Sequence, residues 1–242
     1  MPPADPIAET GIAAPVMAEV ACGAGDRSKS PDPGRAFGED PASRSSSDPC
    51  CHDDLLDRVA QWGSVDTPAG GFHLAPVSLE RDLPLITRWM NDPAAAAFWE
   101  LAGPQEVTQD HLWAQLVGDG RSVPCIGVLH GAPMSYWEIY RADLDPLARH
   151  YPARPQDTGI HLLVGAATHR GRGLGGLLLR AVADLVLAER PSCTRVIAEP
   201  DIRNTPSVAA FLTAGFRFSA EVDLPAKRAA LMVRDRSLQH LL

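Results

Sequence analysis

The sequence predicts an α/β domain built on one mixed sheet of six or seven strands, with helices on both faces. Three observations lead to that class. From Phe72 onward, stretches in strand-like register alternate with stretches whose apolar residues recur every three or four positions. The turn-rich junction His130-Gly131-Ala132-Pro133 joins two strand-like runs, so at least one pair is antiparallel. A knot of glycine and arginine, Arg170-Gly171-Arg172-Gly173-Leu174-Gly175, stands between an apolar strand and a leucine-rich helix.

The elements follow in order. "FHLAPVS" (72–78) is a strand, and "LERDLPLITRWMND" a helix whose Leu79, Leu83, Ile86 and Met90 share one face. A second helical region follows Pro93, and "QEVTQDHLWAQLVGDG" gives a third. "RSVPCIGVLHGAPMSYWEIYRA" reads as a hairpin, then "DTGIHLLVG" (157–165) and "TRVIAEP" (194–200) as strands separated by a helix that begins near Gly173. Leu174, Leu177, Leu178, Ala181, Leu185 and Val186 of that helix are expected to face the sheet. "TPSVAAFLTAG" is a short helix; Pro206 fits its first turn, where no amide hydrogen is needed, and Gly215 stops it. "FRFSAEV" and "RAALMVRD" close the sheet as a strand pair around "DLPAK".

Charge separates a leader from this domain. Residues 1–71 hold 5 Lys and Arg against 12 Asp and Glu, leaving 17 against 18 for the rest, so −7 of the net −8 belongs to the first part. The stretch 23–49 has no apolar period, so it cannot bury enough surface to offset its ordering entropy. The expected organisation is a disordered acidic leader over 1–50, a short helix and linker over 51–71 with Leu55, Val59 and Trp62 at helical spacing, and one folded domain over 72–242. A near-neutral domain with an acidic tail argues against nucleic acid as a partner. No stretch reaches the length of a membrane span, and the N-terminus lacks the basic start of a secretory signal, so a cytoplasmic location is expected. Five cysteines without repeated spacing argue against a disulfide framework or a zinc ribbon. Cys50, Cys51 and His52 lack further ligands nearby, so no metal is expected.

Glycines at a helix start let successive backbone N–H groups point outward unhindered, where the positive end of the helix dipole suits phosphate oxygens. Arg170 and Arg172 would add charge-assisted contacts, and a diphosphate is the natural guest. The other reading is a glycine-rich turn that only packs close to the sheet. A P-loop fits worse, because its lysine followed by Ser or Thr is absent. A dinucleotide fold needs its glycines early in a parallel sheet, not after four strands.

Arg170-x-x-Gly173-x-Gly175 between strand and helix, preceded by a hairpin and followed by Asn204 to Phe216 ("N-x-x-S…F-x-x-A-G-F"), resembles the acyl-CoA-binding core of the GNAT acyltransferase superfamily. "YWEIYRADLD", "DTGIHLLVG", "RGRGLGGLLLR", "AEPDIRNTPSV" and "KRAALM" are similar, in order and spacing, to the branch that acylates side-chain N-hydroxylysine in siderophore pathways, aerobactin-type and mycobactin-type alike. The resemblance covers roughly residues 72–236. It implies a V-shaped cleft between two splayed strands that takes acetyl-CoA or another acyl-CoA. The diphosphate would lie on residues 170–175 and the pantetheine arm along strand 160–165. Leu163, Val164, Asn204 and Ser207 are then expected beside the cofactor.

Acyl transfer from a thioester needs a neutral nitrogen, a base, a polarised carbonyl and an exit for the thiolate. His161, mid-strand in "GIHLL", is either the base or a satisfied core histidine, and the resemblance favours the base. Asp201 in "EPDIRN" matches the branch's paired acidic residue and would orient that imidazole or hold a cationic amine; otherwise it caps a turn. Glu138 and Tyr140 share one face of "YWEIY". A carboxylate there either meets a substrate ammonium or pairs internally. Trp99 and Trp113 line a pocket or pack in the core, and Lys227 and Arg228 receive a substrate α-carboxylate or stand exposed on a hairpin. Many GNAT enzymes place a tyrosine where this chain has Phe211, so another group must protonate the thiolate. Three functions are therefore open: a hydroxylysine (or related diamine) acyltransferase, an aminoglycoside 6′-N-acetyltransferase-like enzyme, and a non-catalytic CoA-binding module.

Overall fold

The structure, a computed structural model, describes residues 56 and 58–241. The expected leader, Cys50, Cys51, His52 and Leu55 lie outside the described residues. Val59 and Trp62 are buried around a single 3-10 turn, Val59–Gln61, within the stretch where a short helix is expected.

One eight-stranded sheet carries the domain, in the order β1-β2-β3-β4-β5-β6-β8-β7. Its strands are β1 (Val65–Thr67), β2 (Gly70–Pro76), β3 (Ser122–Leu129), β4 (Ala132–Arg141), β5 (Thr158–Val164), β6 (Arg195–Ala198), β7 (Arg217–Asp223) and β8 (Arg228–Asp235). All neighbours are antiparallel except β5 and β6. The strand beyond the expected six or seven is β1, which the sequence pattern leaves inside the linker. Three residues carry too little periodicity to be seen, but Thr67 pairs with Gly70 across a two-residue turn and its hydroxyl donates to the Gly70 carbonyl (2.7 Å).

Helices α1 (Leu79–Met90), α2 (Pro93–Trp99) and α3 (Gln105–Leu116) belong to one face, and α4 (Leu174–Glu189) to the other, with α5 (Thr205–Thr213) beside α4. The alternation of β4 divides its side chains accordingly. Trp137 and Ile139 enter the core under α4, where Leu178, Leu179, Val182 and Val186 are buried. Tyr136 enters the core shared with Ile86, Met90 and Leu112 of α1 and α3. Glu138 and Tyr140 share the face of Tyr136, which carries the site. The β3–β4 hairpin turns at His130-Gly131, both with positive φ (51° and 77°), the backbone that matches strand twist in a two-residue hairpin. No helix among the described residues is long and apolar enough to cross a membrane.

Candidate active site

The site forms where β5 and β6 part. Their parallel pairing holds only at Thr158↔Val196 and Gly159↔Ile197. Beyond it, β5 continues to Val164 against β4, while β6 ends at Ala198. The edge of Ile160–Val164 facing β6 therefore pairs with no strand among the described residues, leaving free backbone groups beside an open cleft.

One compartment of that cleft, about 620 Å³, runs along Leu163 and Val164 to the glycine loop and the α5 residues Ser207 and Phe211. Gly171 and Gly173 hold φ of 70° and 77°, the left-handed region that costs other residues about 1–2 kcal/mol. A Cβ at either would meet nothing within 4 Å, so the need for glycine is conformational and not steric. Leu177 N–H bonds the Gly173 carbonyl (3.2 Å) as the first turn of α4 closes. The amides before it have no partner within the helix, and Gly173, Gly175 and Gly176 line the cleft there. Asn204 caps α5, its Oδ1 accepting from Ser207 N–H (3.2 Å), and both residues line the cleft.

The arginines of the loop are placed differently from the expectation. Arg170 lines the cleft, but its guanidinium is engaged within the protein: it donates to the carbonyls of Val164 (3.0 Å) and Gly165 (2.7 Å) and pairs with Asp92 (2.5 Å), the N-cap of α2. Its fork is spent on joining the end of β5 to α2. Arg172 is exposed with a long contact to the Thr168 carbonyl (3.5 Å), and Leu174 packs on the core under α4; neither lines the cleft.

The second compartment, about 240 Å³, holds the titratable groups. His161 lies between two buried carboxylates, with Nδ1 2.7 Å from Glu138 Oε2 and Nε2 2.5 Å from Glu199 Oε1. Burial alone would lower the imidazole pKa, but Glu199 and Glu138 outweigh it and hold the ring at about 10. Burial likewise opposes ionisation of the carboxylates. Glu199 is nonetheless drawn down to about 2 by His161, Lys227 and the Tyr140 hydroxyl, and Glu138 is held well below the usual range by His111 and His161. The trio is therefore carboxylate, imidazolium, carboxylate at neutral pH. Tyr140 donates to Glu199 Oε2 (2.7 Å), and its ring lies 4.9 Å from that of His161. Gly159, paired with Tyr140 across the sheet, makes room for that ring, which a Cβ would overlap.

Glu138 pairs internally: its Oε1 lies 2.6 Å from His111 Nε2 and accepts from Gln115 (2.9 Å) and Tyr136 (2.9 Å). Asp201 does not reach the imidazole. Both its oxygens accept from Arg203, and the carboxylate that meets Nε2 is Glu199, two residues earlier and just past the end of β6. Asp201 still lines the compartment. Of the two hairpin cations, Arg228 is turned out to Glu221 and Asp223, whereas Lys227 reaches in, with Nζ 3.6 Å from Glu199 Oε1. Trp99 stands in both compartments, edge-on to Tyr136 (5.5 Å between ring centres) and His161 (6.1 Å). Trp113 is 55% exposed and takes no part. Phe211 lines both compartments and brings no hydroxyl. Sequence reasoning missed Glu199, His111 and Gln115. The glutamate was legible as the acidic residue nearest the strand end, but α3 gives no spacing that singles out His111.

Among the described residues no cluster of His, Cys, Asp and Glu is arranged to hold a metal ion. The arrangement sets a hydrogen-bonded trio of titratable groups beside a cleft that the glycine loop lines.

Residues 78–224 match the family model described as an acetyltransferase (GNAT) domain. The lysine N-acyltransferase MbtK of Mycolicibacterium paratuberculosis is 37% identical over 187 residues, covering 75% of this chain and 82% of that protein. The N(6)-hydroxylysine O-acetyltransferase of Escherichia coli is 38% identical over 161 residues, 66% of this chain and 50% of that one. Among solved structures, AAC(6′)-Ib in complex with paromomycin and acetyl-CoA superposes with a TM-score of 0.62 at 25% identity, covering 69% of this chain and 94% of that one.

Proposed function

The chain belongs to the GNAT acetyltransferase family, and from that premise we propose that it moves an acyl group from CoA to the hydroxylated side-chain nitrogen of lysine or a close diamine relative, giving a siderophore hydroxamate. That it is an acyl-CoA N-acyltransferase follows from the family and its relatives; the acceptor and the residue roles are the proposal. The observation that carries the reading is a cleft of two adjoining compartments whose linings share Trp99, Leu162, Asn204, Ser207 and Phe211. Free amides at the start of α4 lie at one end, the open edge of β5 runs along it, and the Glu138–His161–Glu199 trio closes the other end.

The amides of Gly171, Gly173 and Gly175 would take the CoA diphosphate, and the Leu163–Val164 backbone the pantetheine amides. The acceptor nitrogen attacks the thioester carbon, the C–N bond forms and the C–S bond breaks. A proton must leave nitrogen and one must reach sulfur. In this reading a carboxylate of the trio takes the first, and the His161 imidazolium supplies the second, the role that Phe211 cannot fill. An imidazolium already carrying its proton cannot also deprotonate an alkylammonium. The trio therefore suits a hydroxylamine nitrogen, which arrives neutral, better than an unmodified lysine amine. Lys227, which lines this compartment with Asp201, would hold the acceptor's α-carboxylate.

The structural likeness to an aminoglycoside enzyme favours a second reading, an aminoglycoside-type amine as acceptor. A compartment of about 240 Å³ suits an amino-acid-sized acceptor better than a multi-ring sugar. Assays of thiol release with acetyl-CoA against N6-hydroxylysine, lysine and kanamycin separate the readings. Hydroxylysine should exceed the others in kcat/KM by at least about 10², the discrimination a site built for a polar group achieves; preference for kanamycin would overturn it.

A further inference from the structure

Resting on that reading, we propose that Trp99 sets an upper limit on the acyl chain, so that the enzyme takes short acyl thioesters, acetyl to butyryl, and rejects long ones. The two compartments share a wall made by Phe98, Trp99, Leu162, Asn204, Ser207 and Phe211. A thioester arriving along β5 reaches the trio across that wall, and its acyl group goes forward into the smaller compartment. About 240 Å³ must then seat both the acyl group and the reacting end of the acceptor. That is below the ~300–1,000 Å³ of sites that enclose drug-sized ligands.

Trp99 is fixed on both sides. Inward it meets Tyr136, which is fully buried and hydrogen-bonded through its hydroxyl to Glu138 (2.9 Å), and the His161 ring. Outward it is held by its helix. The seven-residue α2 begins at Asp92, whose ion pair with Arg170 ties it to the Val164 and Gly165 carbonyls of β5, and it ends at Glu100 in left-handed backbone (φ 55°). The spent guanidinium of Arg170 thus acquires a purpose: it keeps the helix bearing Trp99 against the cleft. A wall of this kind excludes by volume, and in an apolar pocket one methylene is worth about 10–200-fold.

The test uses the full chain with acetyl-, butyryl-, hexanoyl- and octanoyl-CoA. It measures kcat/KM with N6-hydroxylysine and, separately, acyl-CoA affinity by calorimetry without acceptor, for wild type, Trp99→Ala and the milder Trp99→Leu. Wild type should favour acetyl over octanoyl by at least about 100-fold in kcat/KM. Both substitutions should shrink that ratio, and the octanoyl-to-acetyl affinity ratio, by about tenfold or more. Equal use of octanoyl- and acetyl-CoA by wild type, or ratios unmoved by both substitutions, would overturn the limit. If no hydroxamate forms but the affinity ratio moves with Trp99, the limit stands and the acceptor reading falls.

Discussion

His161 Nε2 lies 2.5 Å from Glu199 Oε1, and that contact, with its counterpart from Nδ1 to Glu138, keeps the imidazole charged inside the cleft. The pairing ties the chemistry of the site to the stability of the fold, because removing one partner leaves the other buried charge uncompensated.

Stability should follow the titration of this trio. His161 titrates at about 10 in the folded chain against about 6.5 unfolded, so its contribution is whole below about 6.5 and is lost as pH rises through 10. Glu199 is lowered to about 2 from about 4.5, so its contribution is whole above about 4.5 and is lost as pH falls through 2. The gap in melting temperature between wild type and His161→Gln is expected to be widest between pH 5 and 6.5 and to narrow by pH 10. Melts at pH 6 and pH 9.5 check this; a constant gap contradicts it.

Glu199→Gln and Asp201→Asn should separate. The first removes the carboxylate on the imidazole and should lower kcat by about 10² or more. The second removes one that Arg203 already holds and should cost less than about tenfold. Steady-state kinetics with saturating acetyl-CoA decide between Glu199 and Asp201 as the partner of His161; equal losses would deny Glu199 its special place.

Gly173→Ala puts a side chain on a backbone with φ 77°, at a strain of about 1–2 kcal/mol. The loop can relieve that strain only by moving the amides that face the cleft. The KM for acetyl-CoA is expected to rise about tenfold while the KM for the acceptor barely moves. A rise confined to the acceptor would show that the loop does not hold the CoA.

Lys227→Met removes the one hairpin cation that faces the acceptor compartment. A lost charge-assisted hydrogen bond of about 1.5–3 kcal/mol should raise the KM for N6-hydroxylysine tenfold or more and leave N-hydroxycadaverine, which has no carboxylate, nearly unaffected. Equal losses for the two acceptors would remove Lys227 from carboxylate recognition.

The sequence made most of the fold legible because its strands and helices keep their periods. Leu83, Ile86 and Met90 are buried as expected, Gly215 ends α5 with φ of 87°, and β7 and β8 pair around residues 224–227. The site was legible in part. His161, Glu138 and Tyr140 converge on one compartment or its wall because strand alternation fixes the face of a residue, and Lys227 joins them from the turn between β7 and β8. What alternation cannot give is the direction taken by a side chain just past a strand end, and there Glu199 turned in while Asp201 met Arg203. Nor does a motif reveal competing partners: Arg170 reads as a phosphate ligand until Asp92, 78 residues away in sequence, is seen beside it. His111 arrives on a helix from another part of the chain, a contact set wholly by tertiary packing.

The most direct measurement mixes acetyl-CoA and N6-hydroxylysine with wild-type protein and with His161→Gln, following free thiol and ferric-hydroxamate colour together. Wild type should give thiol and hydroxamate in equal amounts, and the variant should be slower by about 10² or more. Thiol without hydroxamate, or a variant as fast as wild type, would contradict transfer to the hydroxylated nitrogen through the His161 trio.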